Sequence, residues 1–294
     1  MPDTDRAFIP KSGRKVINIP YRAATFLGRR NRRNFMERVP TLPAVIPQGE
    51  VPATVYSLSG ESDWPEQVAS IRSFLRFVGS PKRFFVVSDG SHTAQTIRTL
   101  EQIDSCVRVC SLQSIVKRNL SDRIQRYAAQ HFLGKKLSLL LSLPIEGWTI
   151  YSDSDILFFP GARALASLLG SRGVASLYLL DSWPSLDARL VAAEAEKELP
   201  VNGGFLVLNR PPDWTDALER LERMQGDCTF FTEQTVVHLA MKASGARPLP
   251  PDQFILRTDD QLAFSDRYAA DSIALRHYIS SIRTKFWHQT RLYS

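Results

Sequence analysis

Between Trp148 and Pro160 the chain reads WTIYSDSDILFFP, two carboxylates one residue apart in an otherwise apolar run. An ionised acid normally leaves water only when it is paired or bound to metal. Two side by side also repel each other, so the fold must bring something cationic to that point. Ile150 and Tyr151 before the acids, and Ile156 to Phe159 after them, read as buried strand. Side chains two apart on a strand share a face. Asp153 and Asp155 therefore project together where a buried strand ends.

The remaining pattern supplies a sheet around that strand. ATVYSLSG (53–60), RFFVVSDGS (83–91) and CVRVCSL read as strands, the first two running into small turn residues such as Asp89, and GWTIYSDSD is the fourth. Helical spacing runs through 64–78, through AQTIRTLEQI and through 121–143, with a break near Gly134. Then come helix-like ARALASLLG, the strand GVASLYLL, an amphipathic helical DARLVAAEAEKEL, the strand VNGGFLVLN and helices near 213–224 and 232–243. Strands alternating with helices imply an α/β fold, a mostly parallel central sheet with helices on both faces. The 294 residues suffice for one such domain with a sizeable core. Residues 51–294 are read as that domain, and residues 1–50 as a basic arm followed by a proline-punctuated connection.

The formal charge of +7 is concentrated at the start. Residues 1–40 hold Arg6, Lys11, Arg14, Lys15, Arg22, Arg29, Arg30, Arg32, Arg33 and Arg38 against Asp3, Asp5 and Glu37, and the remainder is close to neutral. That segment suits contact with an anionic membrane or an acidic partner. No nucleic-acid-binding signature accompanies it, so nucleic acid is not the expected ligand. No apolar run is long enough to span a bilayer, and MPDTDRAFIPKSGRK lacks the apolar core of a secretory signal. Cys106, Cys110 and Cys228 have no metal-binding spacing and read as small apolar residues. A cytoplasmic protein, with membrane association through the arm, is the expectation.

In open α/β sheets ligands gather beyond the carboxyl ends of strands. YSLSG, VVSDG and YSDSD all place polar groups there. Hard carboxylate ligands suit magnesium or manganese, whose shell is completed by water and phosphate oxygens. The two glycines of VNGGFLVLN, inside a strand pattern, mark a bulge or a close approach of another group. TEQT opens a helix, with Thr232 placed to cap it and Glu233 suited to the first turn.

In order, the chain carries YSDSDILFF, VNGGFLVLN, TEQTVVHLAM and LRHYISSIRTKFWH. This series resembles the GT-A glycosyltransferases, and among them the glycogenin-like and lipopolysaccharide galactosyltransferase-like enzymes of glycosyltransferase family 8. The resemblance spans about residues 53–288 and rests on these four motifs. It implies a GT-A fold and a manganese (or magnesium) ion held by Asp153, Asp155 and His277 on a nucleotide-diphosphate sugar. It further implies a uridine diphosphate donor, transfer with retention, and an acceptor that is a glycan, protein or lipid. Donor contacts would come from Tyr56, Ser57 and Ser59 at the base and ribose, and from Lys136, Ser154 and Asn202 near the diphosphate and sugar. Glu233 and Gln234 would face the transferred sugar. The family ending has histidine, a glycine three residues on, then lysine and Pro-Trp. Here Ser280 stands for the glycine, two residues intervene before Lys285, and Phe286 stands for the proline. Lys285 is preferred over Arg283 as the cation that meets the leaving diphosphate, because KFWH preserves its surroundings.

Two other readings remain. A nucleotidyltransferase or phosphatase would use the same acids for metal, but its glycine- and lysine-rich loop or downstream threonine and lysine are not seen. A non-catalytic nucleotide-sugar-binding module would keep the fold without the chemistry.

Overall fold

The structure, a computed structural model, describes residues 18–171 and 173–294. Arg6, Lys11, Arg14 and Lys15 of the basic arm lie outside the described residues. In chain order the elements begin with α1 (Ile19–Arg38), β1 (Glu50–Ser59), α2 (Trp64–Phe77), β2 (Ser80–Ser88), α3 (Ala94–Glu101), β3 (Val107–Ser111) and α4 (Leu112–Ile115). Next are α5 (Asp122–Gln130), α6 (Phe132–Leu140), β4 (Trp148–Ser152), β5 (Ile156–Phe158), α7 (Arg163–Leu169) and β6 (Leu177–Leu180). The remainder comprises β7 (Val201–Leu208), α8 (Thr215–Arg223), α9 (Thr232–Ala243), β8 (Arg247–Pro248), β9 (Phe254–Ile255), β10 (Leu275–His277) and α10 (Arg283–Phe286).

Seven strands form the main sheet, in the order β3-β2-β1-β4-β7-β6-β8. Only β7 runs against its neighbours, so the carboxyl ends of β1, β2, β4 and β6 open on one side. Both faces are covered, as the alternating pattern requires. On one face α2 buries Val68, Ile71, Phe74 and Leu75 with Phe84 and Ile150. On the other, Leu139 and Leu140 of α6 and Val237 and Met241 of α9 close over Tyr151 and Leu206. A second sheet, β5-β10-β9, has β5 and β10 antiparallel and is fed directly by the chain leaving β4.

Three expectations need correction. The break in 121–143 falls at His131, not near Gly134. His131 is extended (φ −142°, ψ 139°), and its Nδ1 accepts from the Leu133 amide to start α6. Gly134 instead sits inside α6 against the backbone of Tyr127 and Ala128, where a Cβ would collide. DARLVAAEAEKEL is not a helix. Asp187 grips Arg189 (Oδ1–Nε 2.8 Å, Oδ2–Nη2 2.6 Å), Glu196 is held by Arg220, and only Glu194–Lys197 forms a single 3-10 turn.

The described part of the arm, finally, is a helix docked on the domain. Asn18 caps α1 by accepting from the Tyr21 amide (2.9 Å), and Pro20 lies in the first turn. Its inner face seats Ala24, Gly28 and Phe35. The Phe35 ring packs on Trp287 (5.2 Å) and Tyr293 (4.9 Å), and Arg32 pairs with Glu66 (2.7 Å).

Candidate active site

Asp153 and Asp155 leave the carboxyl end of β4 as the sequence requires, and the pairing of two sheets completes the cluster. The Asp153 amide donates to Gly204 O of β7 (2.8 Å), and the Tyr278 amide donates to Asp155 O (2.9 Å). Because His277 lies opposite Ile156 in the β5–β10 ladder, its imidazole comes to rest between the acids. Nε2 is 3.0 Å from Asp155 Oδ1 and 3.7 Å from Asp153 Oδ2. One ligand atom from each of Asp153, Asp155 and His277 lies within 4.8 Å of the others, and both Asp155 and His277 are buried.

Asn202 orients the ring. Its Oδ1 accepts from the Gly204 amide (2.9 Å) and lies 3.1 Å from His277 Nδ1, while its Nδ2 donates to Asp181 Oδ2 (3.2 Å). With the amide oxygen facing the ring, Nδ1 carries a proton, and Nε2 is left to present its lone pair or a second proton to the carboxylates. Two carboxylates and an imidazole nitrogen so aimed are a fitting donor set for manganese, and the hydrogen bond on Nδ1 is the usual support for a metal-binding histidine. Close approach decides the glycines. A Cβ on Gly204 would collide with His277 Cε1 and come within 2.8 Å of Asn202 Oδ1 and Asp153 Oδ2. One on Gly203 would lie 2.8 Å from Glu233 Oε1.

The cations that the repulsion argument demands are present in the chain itself. Lys136 Nζ, buried on α6, donates to Asp153 Oδ2 (2.9 Å) and lies 3.9 Å from Glu233 Oε1. Burial alone would lower its titration, but the Asp153 and Glu233 carboxylates outweigh that and raise it. Arg283 Nη2, at the start of α10, donates to Asp155 Oδ2 (2.9 Å), and Nη1 is 3.6 Å from Asp63. Burial would raise the Asp155 carboxyl, yet His277 and Arg283 together hold it below its ordinary range. Tyr151 donates its hydroxyl proton to Asp153 Oδ1 (2.7 Å). Glu233 is buried at the start of α9 with no hydrogen-bond partner for Oε1 among the described residues. Burial pushes its carboxyl up to about 7 against the pull of Lys136, with Asp153 adding to the rise. Gln234 donates to Asp181 Oδ2 (2.9 Å) and to Ser185 O (3.2 Å).

The structure thus gathers Asp153, Asp155, His277, Lys136, Arg283, Asn202, Glu233 and Gln234, with the buried Ser154 between the acids. Other expected residues do not join them. Lys285 is buried elsewhere, its ammonium donating to Asp260 O (2.5 Å) and Ser265 O (2.9 Å) and pairing with Asp260 Oδ2 (3.0 Å). The contact on the acid cluster is Arg283's. Tyr56 is sealed in the core, its ring stacked on Phe85 (5.1 Å), and the Ser57 hydroxyl donates to Gln67 (2.7 Å). Both belong to the body of β1, a strand covered on both faces. Only Ser59 reaches the strand end, 3.1 Å from His92 Nε2. Thr232 does not cap α9 through its own side chain. Its hydroxyl donates to Asp187 Oδ2 (2.9 Å).

Sequence reasoning missed Asp181, the acid that joins Asn202 to Gln234 and whose carboxyl burial pushes up. The signal was available, since Asp181 follows the strand LYLL as Asp153 follows WTIYS.

No family model matches the sequence, and no curated protein matches it either. Solved structures do. The galactosyltransferase LgtC, in complex with donor and acceptor sugar analogs, is similar over 82% of this chain and 95% of its own, with a TM-score of 0.54 and 14% identity. The bifunctional glycosyltransferase WbbM is similar over 80% of this chain and 47% of its own, with a TM-score of 0.51 and 13% identity. Relatedness at that identity is one of fold, and the fold is GT-A.

Proposed function

We propose that the protein is a metal-dependent glycosyltransferase that takes a sugar from a nucleotide-diphosphate sugar, with uridine diphosphate the first donor to test. The reading rests on the Asp153–Asp155–His277 cluster, aimed by Asn202 at the open end of a GT-A sheet. The shared fold supports it, since the LgtC structure holds donor and acceptor sugar analogs. Asp153, Asp155 and His277 would hold manganese or magnesium, which supplies positive charge to the diphosphate as it departs.

The chain's own groups do the rest. Lys136 neutralises Asp153 from below and keeps three carboxylates, those of Asp153, Asp155 and Glu233, compatible in one buried place. Arg283, half-buried at the mouth, is the cation free to turn from Asp155 to the diphosphate and stabilise it as a leaving group. Asp181, Asn202 and Gln234 form one hydrogen-bonded set suited to sugar hydroxyls. Glu233, its carboxyl pushed up to about 7 by burial, lies beside Lys136 and against Gly203 of β7 at the start of α9, where it can hold or release a proton. Transfer with retention is the stereochemical form of the proposal.

The test is donor hydrolysis together with thermal melting. Manganese and a uridine diphosphate sugar should raise Tm together by more than the sum of their separate shifts, because the diphosphate completes the metal's shell. Slow, manganese-dependent hydrolysis of the donor should accompany that shift and disappear in Asp155→Asn. Shifts that ignore the metal would remove the metal-bridged reading. A joint shift without any hydrolysis or transfer would instead fit a binding module.

A further inference from the structure

Helix α1 has two faces, and among the described residues only one is packed. Ala24, Gly28 and Phe35 face the domain, with Asn31 donating to Trp287 O (2.9 Å). At about 100° per residue, Ile19, Arg22, Phe26, Arg29, Arg30 and Arg33 fall within an arc of about 100° on the opposite side. All six are exposed, Phe26 at 71% and Ile19 at 70%. Of the α1 arginines, Arg32 alone meets an acid among the described residues.

We infer that this outer face of α1 docks the protein on an anionic lipid bilayer. Four guanidinium groups on one arc complement a surface of anionic headgroups, and each contributes separately to the attraction. Phe26 sits among them, where an aromatic ring can enter the boundary between headgroups and acyl chains. The face is the convex back of a single helix. A fluid, planar surface accommodates that shape, whereas an acidic protein would need a pocket built to receive Phe26 and Ile19. The helix lies on the surface without crossing, for among the described residues no helix is long and apolar enough to span a membrane. Its seating is fixed in advance. A Cβ on Gly28 would collide with the Thr284 backbone, one residue beyond Arg283, so α1 backs directly onto the element that serves the acid cluster. Docking would therefore hold the mouth of that cluster at a set orientation to the lipid surface.

Sedimentation of the full chain with vesicles tests this. Vesicles of 70:30 phosphatidylcholine and phosphatidylserine should carry the protein down at low salt, pure phosphatidylcholine should not, and 0.5 M salt should release it. Replacing Arg22, Arg29, Arg30 and Arg33 with Gln should lower partitioning by roughly fivefold per residue, several hundredfold in all. Phe26→Ser, which leaves the charge unchanged, should lower it about tenfold. Neither change touches the core, so the melting temperature should hold. If the quadruple variant fails to fold, the salt series and Phe26→Ser carry the test. Failure of the unchanged chain to sediment with anionic vesicles would overturn the inference. So would unaltered binding in either variant. Tight binding to soluble polyglutamate without vesicle binding would assign the face to an acidic polypeptide instead, and would equally overturn it.

Discussion

Gly204 is the residue at which the candidate site is tightest. His277, Asn202 and Asp153 crowd it on the side where a Cβ would project, and each is held by other bonds. Gly204→Ala should cost roughly 1–3 kcal/mol, the usual penalty for overfilling a packed position. It should also abolish the manganese-dependent part of the melting shift, because the added methyl pushes the imidazole from the carboxylates. Calorimetry with and without manganese measures both. Arg283 and Lys285 give a sharper contrast. Arg283→Ala removes the contact on Asp155 and should lower donor turnover by roughly ten- to a thousandfold, with little change in melting. Lys285→Ala strips a buried ammonium from Asp260 and should cost about 3 kcal/mol, read by urea denaturation, with turnover nearly kept in the folded fraction. The reverse ranking would put Lys285 at the diphosphate after all.

At the scale of elements, the loop of residues 187–199 shows how side-chain bonds override a helical pattern. The alternation of Ala, Leu and Glu there has helical spacing, but Asp187 spends its carboxylate on Arg189 and on the Thr232 hydroxyl. The Asp187 amide donates to Thr235 Oγ1 (2.7 Å), so the loop is tied to the first turn of α9, which carries Glu233 and Gln234. Arg189, followed by the Thr232 hydroxyl, holds the Asp187 carboxyl down to about 2. Its folded titration lies below the unfolded aspartate value of about 3.9. The bonds therefore add stability that is fully present above about pH 4 and is lost as pH falls toward 2. Asp187→Asn should lower Tm at neutral pH and flatten the decline of Tm across that acid range. A decline of unchanged steepness would place the acid sensitivity in other carboxylates.

At the scale of the molecule, α1 binds what composition alone sets apart. Phe35 belongs to the same buried cluster as Phe74, Phe84, Phe158 and Trp287, so the domain reaches back before residue 51. A chain beginning at residue 51 should lose cooperative unfolding or melt far lower. Phe35→Ala alone should cost about 3–5 kcal/mol, the range for emptying a buried aromatic position. Denaturant titration of the two forms measures this, and full stability in the shortened chain would return α1 to the status of an appendage.

What the sequence determined by itself is what neighbouring residues decide. Asp153 and Asp155 stand together because both follow directly on a buried strand, in the turn between β4 and β5, and strands alternating with helices require a covered, mostly parallel sheet. The glycines of VNGGF announced a close approach by their mere presence in a strand, and Gly204 is where it occurs. The partners of those acids are another matter. Lys136, Glu233 and His277 come from separate elements, and the resemblance to known enzymes pointed to them where spacing could not. Tertiary structure alone decided between Arg283 and Lys285. Two residues apart on one short helix, their side chains point about 200° apart, so the packing of α10 against α1 sends one to Asp155 and the other to Asp260. The same holds for Tyr56 and Ser57, whose polar groups match a ligand site in sequence but lie in a strand enclosed by β2 and β4. A local pattern fixes which way a side chain points from its own element. Only the packing of elements fixes what it meets there.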